Sequence, residues 1–350
     1  STIMSQKEIL LGKNLAQTES LCQELGFPKY TAKQITSWLY AKRVPTIEAM
    51  SNLSQKNREI LSETAEIGNC SPIQAQISQD GTRKYLFPTP IPSDSCNASK
   101  PHFIESVYIP ESTRATLCVS SQSGCRMNCA FCATGNQGFN HHLQPHEILN
   151  QFYSLPEAEK LSNIGLMGMG EPLDNTENVL KALEVMTAPW GLAWSPTRIT
   201  LSTVGILPGL KRFLEESSCH LAISLHSPFS QERASLMPAE KAYPIEQTIA
   251  LLRLYPWHHQ RRLSFEYILM KDLNDSPSHA LATARLLQGI ECRVNLIKYH
   301  EVPGKPFKKT SQERMDTFQQ ILLKHNIRCT QRKSRGEDIK AACGLLAKTR

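Results

Sequence analysis

The sequence predicts an α/β protein: a partial, TIM-like (β/α)6 barrel with an N-terminal helical accessory domain. Three observations lead there. From Ile104 onward, short β-forming runs alternate with amphipathic stretches of helical period, the pattern of a parallel sheet with right-handed crossovers. The first ~70 residues carry helical spacing alone, a mark of a separate unit. The length, 350 residues with 40% hydrophobic content, suits two domains or one large domain with an appendage.

Taken in order, Thr31 to Tyr40 places Ile35, Trp38 and Leu39 at helical spacing, and Thr46–Met50 and Ser54–Thr64 continue in that style. Pro72 to Phe87 alternates like strands around the turn Asp80-Gly81. Thr89 to Pro101 reads as a loop. Strands are expected at Ala115–Ser120, Asn163–Met167, Arg198–Thr203, His220–Leu225, Leu263–Met270, Arg293–Lys298 and Arg328–Arg332. Helices are expected at Glu147–Ser154, Glu177–Thr187, Ile245–Leu254, Ala280–Leu287 and Gln312–His325. The expected organisation is a helical domain over 1–72, a hairpin and linker over 73–110, and the barrel with a C-terminal extension over 111–350. In such barrels the site gathers at the C-terminal strand ends.

No apolar run approaches the ~20 residues of a membrane span. The N-terminus mixes Lys7, Glu8, Lys13, Glu19 and Glu24 into its apolar positions. A secretory signal is not expected there, and a cytoplasmic protein is. The 11 cysteines are too sparse for a secreted disulfide scaffold. Net charge is +7, and Lys298–Arg350 alone holds 13 Lys+Arg against 5 Asp+Glu. That focus suits a polyanion such as nucleic acid, or equally a solvated surface helix.

Cys125, Cys129 and Cys132 form C-x-x-x-C-x-x-C in the loop after the first barrel strand. Three thiolates on one loop can hold three corners of a [4Fe-4S] cube, leaving one iron open to a chelating ligand. Phe131 would shield it. A zinc site would need a distant fourth ligand. Downstream, Gly168-Met169-Gly170-Glu171-Pro172 follows the second barrel strand, where glycines allow close backbone approach and Glu171 offers acceptors for an ammonium. Ser202 ends the third strand, and Ser224-Leu225-His226 ends the fourth. A serine there is as readily a turn former.

C-x-x-x-C-x-aromatic-C resembles the signature of the radical S-adenosylmethionine (SAM) superfamily. The flanking Thr116-Leu117-Cys118-Val119-Ser120-Ser121-Gln122 and Cys132-Ala133-Thr134-Gly135-Asn136-Gln137-Gly138-Phe139 resemble its RlmN branch of RNA adenine methyltransferases more than the sister Cfr branch. The resemblance runs over most of the chain and ends in Arg335-Gly336-Glu337-Asp338-Ile339-Lys340-Ala341-Ala342-Cys343-Gly344. It implies a radical SAM barrel, one [4Fe-4S] cluster per chain on the three cysteines, and two SAM per turnover. It implies SAM contacts at Gly170, Glu171, Ser202, Ser224, Leu225, His226 and the position of His300. The family usually has Asn at this last position and Gln where Leu345 stands.

The resemblance also implies a reaction. Cys343 takes a methyl group from one SAM. Reductive cleavage of a second SAM then makes the methyl a carbon radical that adds to C2 of adenine. Glu105 is the expected base for the C2 proton. Cys118 then attacks the Cys343 sulfur, releases the RNA and leaves a disulfide bond to be reduced. The implied partners are 23S rRNA at its peptidyl-transferase-centre adenosine, tRNA at the adenosine 3′ of the anticodon, and an electron donor such as flavodoxin or ferredoxin. A monomer away from membranes is expected. Two alternatives stay open: Cfr-like methylation at C8, and an inactive zinc-stabilised RNA-binding protein. Cys22, Cys70, Cys96, Cys219, Cys292 and Cys329 match no motif.

Overall fold

A computed structural model describes residues 6–93, 102–136 and 138–341. At its centre lies a ten-stranded sheet whose strands follow one another in chain order. β1 (Gln74–Ile77), β2 (Arg83–Thr89), β3 (His102–Pro110) and β4 (Ala115–Cys118) run antiparallel in turn. From β4 every pairing is parallel, through β5 (Asn163–Leu166), β6 (Ile199–Thr203), β7 (His220–Ser224), β8 (Leu263–Leu269), β9 (Arg293–Lys298) and β10 (Arg328–Arg332). The helices of the crossovers are α4 (Pro145–Tyr153), α5 (Thr176–Thr187), α6 (Leu207–Glu216), α7 (Ser230–Leu236), α8 (Ile245–Leu252), α9 (Pro277–Leu287) and α10 (Gln312–Lys324). Before them come α1 (Leu15–Glu24), α2 (Thr31–Thr36) and α3 (Gln55–Thr64).

Period-2 alternation explains the sheet. Leu201, Leu221, Phe265, Val294 and Leu296 are fully buried beneath the helices. Ser202, Ser224, Glu266, Asn295 and Thr330 take the alternate positions, so the inner face is polar. Helix starts follow the usual chemistry: Ser276 and Ser311 accept from the third-residue N–H of α9 and α10 at 3.3 and 3.2 Å.

Six strand–helix units were expected; β4 to β9 supply them, and β10 is the further strand expected at Arg328–Arg332. The larger difference is residues 73–110. The expected hairpin forms, but with His102–Pro110 it extends the core sheet by three strands. The reason is burial: Ile104, Glu105, Ser106, Val107 and Tyr108 are all covered, which a solvent-facing linker would not permit. The Asp80-Gly81 turn forms as expected, with Ser78 N–H donating to Thr82 O at 2.8 Å. Helices α6 and α7 went unread in the sequence, as Pro208 and the short length of α7 hide their period.

The N-terminal helices pack around Ile35, Leu39, Met50 and Leu61. Trp38 is not fully in that core; its indole donates to Asn52 and its face receives Lys42 Nζ at 3.9 Å. The unit docks on α4. Asn150 brackets the Cys70 backbone with bonds of 2.9 and 2.8 Å, and Tyr153 Oη donates to Val44 O. No described helix is long and apolar enough to cross a membrane.

Candidate active site

The three-cysteine loop leaves β4 through a short hairpin, Gln122–Gly124 against Phe139–His142. Backbone bonds pin it: Cys125 N–H to Gly138 O at 3.1 Å and Ala130 N–H to Leu236 O at 2.9 Å. Cys129 and Cys132 pack against an apolar cluster separate from the main core, built on Phe131, Leu236, Met237, Ile268, Met270, Ile297, Tyr299 and Val302. Burial pushes the Cys125 thiol up to about 12 and the Cys129 thiol well above its ordinary range, and the neighbouring Cys132 sulfur adds to both shifts. Such thiols ionise only with a compensating cation, as a metal centre provides. Among the described residues no three His, Cys, Asp or Glu side chains converge on a single-ion position. A four-iron cube asks for no such convergence, because each thiolate takes a different corner.

The Gly-Glu station lies beside this loop, since the Glu171 charge is felt at Cys125 and Cys129. Gly170 has φ +99°, and a Cβ there would sit 2.6 Å from Gln122 Cβ, so glycine is required. Glu171 is 3% exposed. Its carboxylate accepts from Thr203 Oγ1 (2.7 Å), Val204 N (2.7 Å) and Leu173 N (2.9 Å). Burial raises its pKa to about 7 against those bonds. Much of its acceptor capacity therefore ties the station to the end of β6.

Ser202, Ser224 and Leu225 stand at the ends of β6 and β7, as expected. A residue that sequence reasoning missed locks them together. Arg233, 1% exposed, donates to Ser224 O at 2.7 Å, Val204 O at 2.9 Å and Leu225 O at 3.0 Å. Glu240 lies 3.3 Å away. Nothing in the motif-poor stretch around Arg233 signals this. His226 is left-handed (φ 60°), its Nδ1 accepts from Ile268 N at 3.0 Å, and its ring meets Phe131 edge-on at 4.8 Å. Burial lowers its pKa to about 3, so the ring is neutral with its proton on Nε2.

Cys118 faces the barrel interior. It is a free thiol, as are the other described cysteines. Burial pushes it up to about 11, opposed by the Arg332 charge. Arg332 lies on the far strand β10, so its influence on β4 reports how far the sheet curls. Glu266 holds Arg332 at 3.2 Å and Asn295 at 3.2 Å, while its Oε2 is buried with no hydrogen-bond partner among the described residues. Sequence reading passed over this lane because its members lie on three strands.

Register puts Glu105 on the same face as Cys118. Val107 pairs with Cys118, and Leu86 with Glu105; paired residues point to one face, and so do residues two apart. Glu105 is 3% exposed and lies 3.4 Å from Lys84 Nζ. Both line a cavity of about 640 Å³ with Gln74, Gln76 and the C-terminal Asp338–Lys340. His300 turns toward that C-terminal segment: Nε2 meets Ser334 Oγ at 2.9 Å and Nδ1 lies 3.3 Å from Glu337. Cys343, and with it the expected Cys118–Cys343 disulfide, lies outside the described residues.

The barrel, the thiol loop at its strand ends and the Gly-Glu station define the radical SAM class, and residues 119–284 match the family model of the radical SAM superfamily. Residues 9–67 match that of the ribosomal RNA large subunit methyltransferase N-terminal domain. A Bacteroides thetaiotaomicron protein named "Probable dual-specificity RNA methyltransferase RlmN" is 53% identical over 98% of this chain and 97% of its own. The "Dual-specificity RNA methyltransferase RlmN" of Syntrophus aciditrophicus is 44% identical over 95% and 94%. A crystal structure of a radical SAM methyltransferase from Sphaerobacter thermophilus superposes with a TM-score of 0.89, at 36% identity over 98% of this chain and 100% of that one. The chain belongs to the RlmN family of radical SAM RNA methyltransferases. It is therefore an enzyme acting on RNA, and its class implies a [4Fe-4S] cluster and SAM.

Proposed function

We propose that this enzyme methylates C2 of adenine in 23S rRNA and in tRNA, with Cys343 as methyl carrier. One observation carries the site assignment: a single inner face bears Cys118 and Glu105 and is closed by the segment that runs into Cys343. C2 is bonded to two ring nitrogens and is electrophilic, so an electrophilic methyl cannot be passed to it directly. Cys125, Cys129 and Cys132 would hold the cluster, which would supply the single electron that radical chemistry on SAM needs.

The chain's own groups do the rest. The Cys343 thiolate attacks the methyl carbon of SAM, and S-adenosylhomocysteine leaves with the electron pair of the broken carbon–sulfur bond. Once that carbon is joined to C2 and the adduct has lost one electron, Glu105, 3.4 Å from Lys84 Nζ, takes the C2 proton. Cys118 thiolate, favoured by Arg332, attacks the Cys343 sulfur; a disulfide forms, and the bridging carbon leaves with the carbon–sulfur electron pair and takes up a proton to become the methyl group. Gly170, Glu171, Ser202, Ser224, Leu225 and His226 shape the SAM cradle. His300 contributes there less directly, because both its nitrogens face the C-terminal segment. The N-terminal helical unit and exposed lysines hold the folded RNA, while the target base leaves its stack.

Mass analysis of 23S rRNA and tRNA from cells with and without the protein tests this. 2-Methyladenosine should depend on it; 8-methyladenosine instead would move the reading to Cfr-like chemistry. A colourless, iron-free protein after anaerobic purification would favour the zinc alternative.

A further inference from the structure

We propose that Asp80, at the tip of the β1–β2 hairpin, is a positioning residue that holds the chain leading to Cys343 against the Glu105 cavity. This rests on the reading of Cys343 as methyl carrier. The hairpin and the C-terminal segment are some 255 residues apart in sequence, yet they interlock. Asp80 Oδ2 accepts from Gly336 N at 2.8 Å, and its carbonyl accepts from Arg335 at 2.9 Å. Arg335 also reaches Pro110 O, the end of β3, at 2.8 Å. Beside them Asp338 accepts from Ser78 Oγ at 2.5 Å and Gln79 N at 3.3 Å.

The latch has a pivot that admits only glycine. Gly336 has φ +67°, and a Cβ there would lie 2.8 Å from both Ala341 Cβ and Thr82 Cγ2. Ala341 N–H folds back onto Gly336 O at 2.9 Å. Cys343 follows two residues later, and two residues of chain reach about 7 Å at most. The position of the Asp80 carboxylate thus sets where the methyl-bearing sulfur can be delivered. Asp80 touches no reacting atom; it acts through Gly336 and Arg335.

The test compares Asp80→Ala and Asp80→Asn with the cluster-loaded enzyme. In Asp80→Ala the Gly336 amide should exchange hydrogen about tenfold faster or more, on loss of a charge-assisted bond. RNA methylation kcat should fall by a similar factor. KM for RNA, cluster absorbance and SAM affinity should be unchanged. Asp80→Asn keeps an acceptor oxygen and should recover most of the rate. Gly336→Ala should reproduce the Asp80→Ala defect. Wild-type methylation by Asp80→Ala, or an unaltered Gly336 exchange rate, overturns the proposal. Loss of cluster or SAM binding in that variant also overturns it, by placing the defect in the general fold. If Cys343→Ala still methylates RNA, the carrier reading itself fails, and the exchange result then reports only a surface clasp.

Discussion

The cluster loop and the Cys118 lane sit at one barrel mouth but are built by opposite means. The loop is held by backbone bonds and an apolar cluster, with Arg233 buried behind it and three carbonyls as its partners. The lane around Cys118 is built of side-chain pairs from separate strands: Glu266 with Arg332 and Asn295, and, as a second group, Lys84 with Glu105. Its outer wall, the C-terminal segment, is fastened by half-exposed polar contacts. The first region keeps water from a reactive centre and has little to move. On the proposed function, the second accepts a nucleotide, forms a covalent link and lets go, which suits a wall of separate polar contacts.

The contrast can be broken most directly at the loop. Cys125→Ala, Cys129→Ala or Cys132→Ala should each abolish iron binding and all turnover; full iron content in any of them ends the ligand assignment. In the lane, Cys118→Ala should pass every earlier step and stall as an RNA–protein adduct under denaturing conditions. Product release should fall at least roughly a thousandfold, the scale of losing a nucleophile. Cys343→Ala should form no adduct.

Behind the loop, Arg233→Met should cost about 3–5 kcal/mol in urea unfolding, because three carbonyls and Glu240 lose a buried partner. A cost under about 1 kcal/mol would show that the ends of β6 and β7 do not depend on it. In the lane, pH separates the regions again. On the proposed route Cys118 reacts as thiolate; burial pushes its thiol up to about 11, so the reactive fraction grows as pH rises toward that value. Single-turnover adduct release should speed about tenfold per pH unit between roughly pH 7 and pH 9. A flat profile would place another step, or another thiol, in control.

The smallest effect concerns RNA grip. Within Lys298–Arg350, Arg314, Arg328, Arg332 and Arg335 already pair with carboxylates. Lys305, Lys309 and Lys324 have no ion-pair partner among the described residues. Lys309→Glu should therefore lower the log–log salt slope of RNA binding by about 0.7–0.9 per phosphate lost. Arg328→Glu should leave it unchanged. Equal effects would remove the distinction between structural arginines and RNA-facing lysines.

Much of this site was legible in the sequence because its chemistry is local. Three cysteines within eight residues and the Gly-Met-Gly-Glu turn need no tertiary context to be recognised. The seven parallel strands were legible too, since buried strands between amphipathic helices keep their own period. Arg233 was not, because a buried arginine looks like a surface one until its carbonyl partners are known. Glu266 and Arg332 were not, because they are 66 residues apart. The basic C-terminal segment was legible as charge, but not, among the described residues, as a mixture of paired arginines and mostly unpaired lysines.

The sequence by itself determined the barrel architecture, the thiol loop and, through its flanking residues, the family. These are properties of short segments: side-chain period, ligand spacing and obligatory glycines. Only the tertiary structure decided that residues 73–110 belong to the core sheet and that Glu105 shares a face with Cys118. It alone brought the Asp80 turn to Gly336. Those facts depend on strand register and on the curl of the sheet, which sum small twists over ten strands. No single segment encodes that sum, so no single segment reveals it.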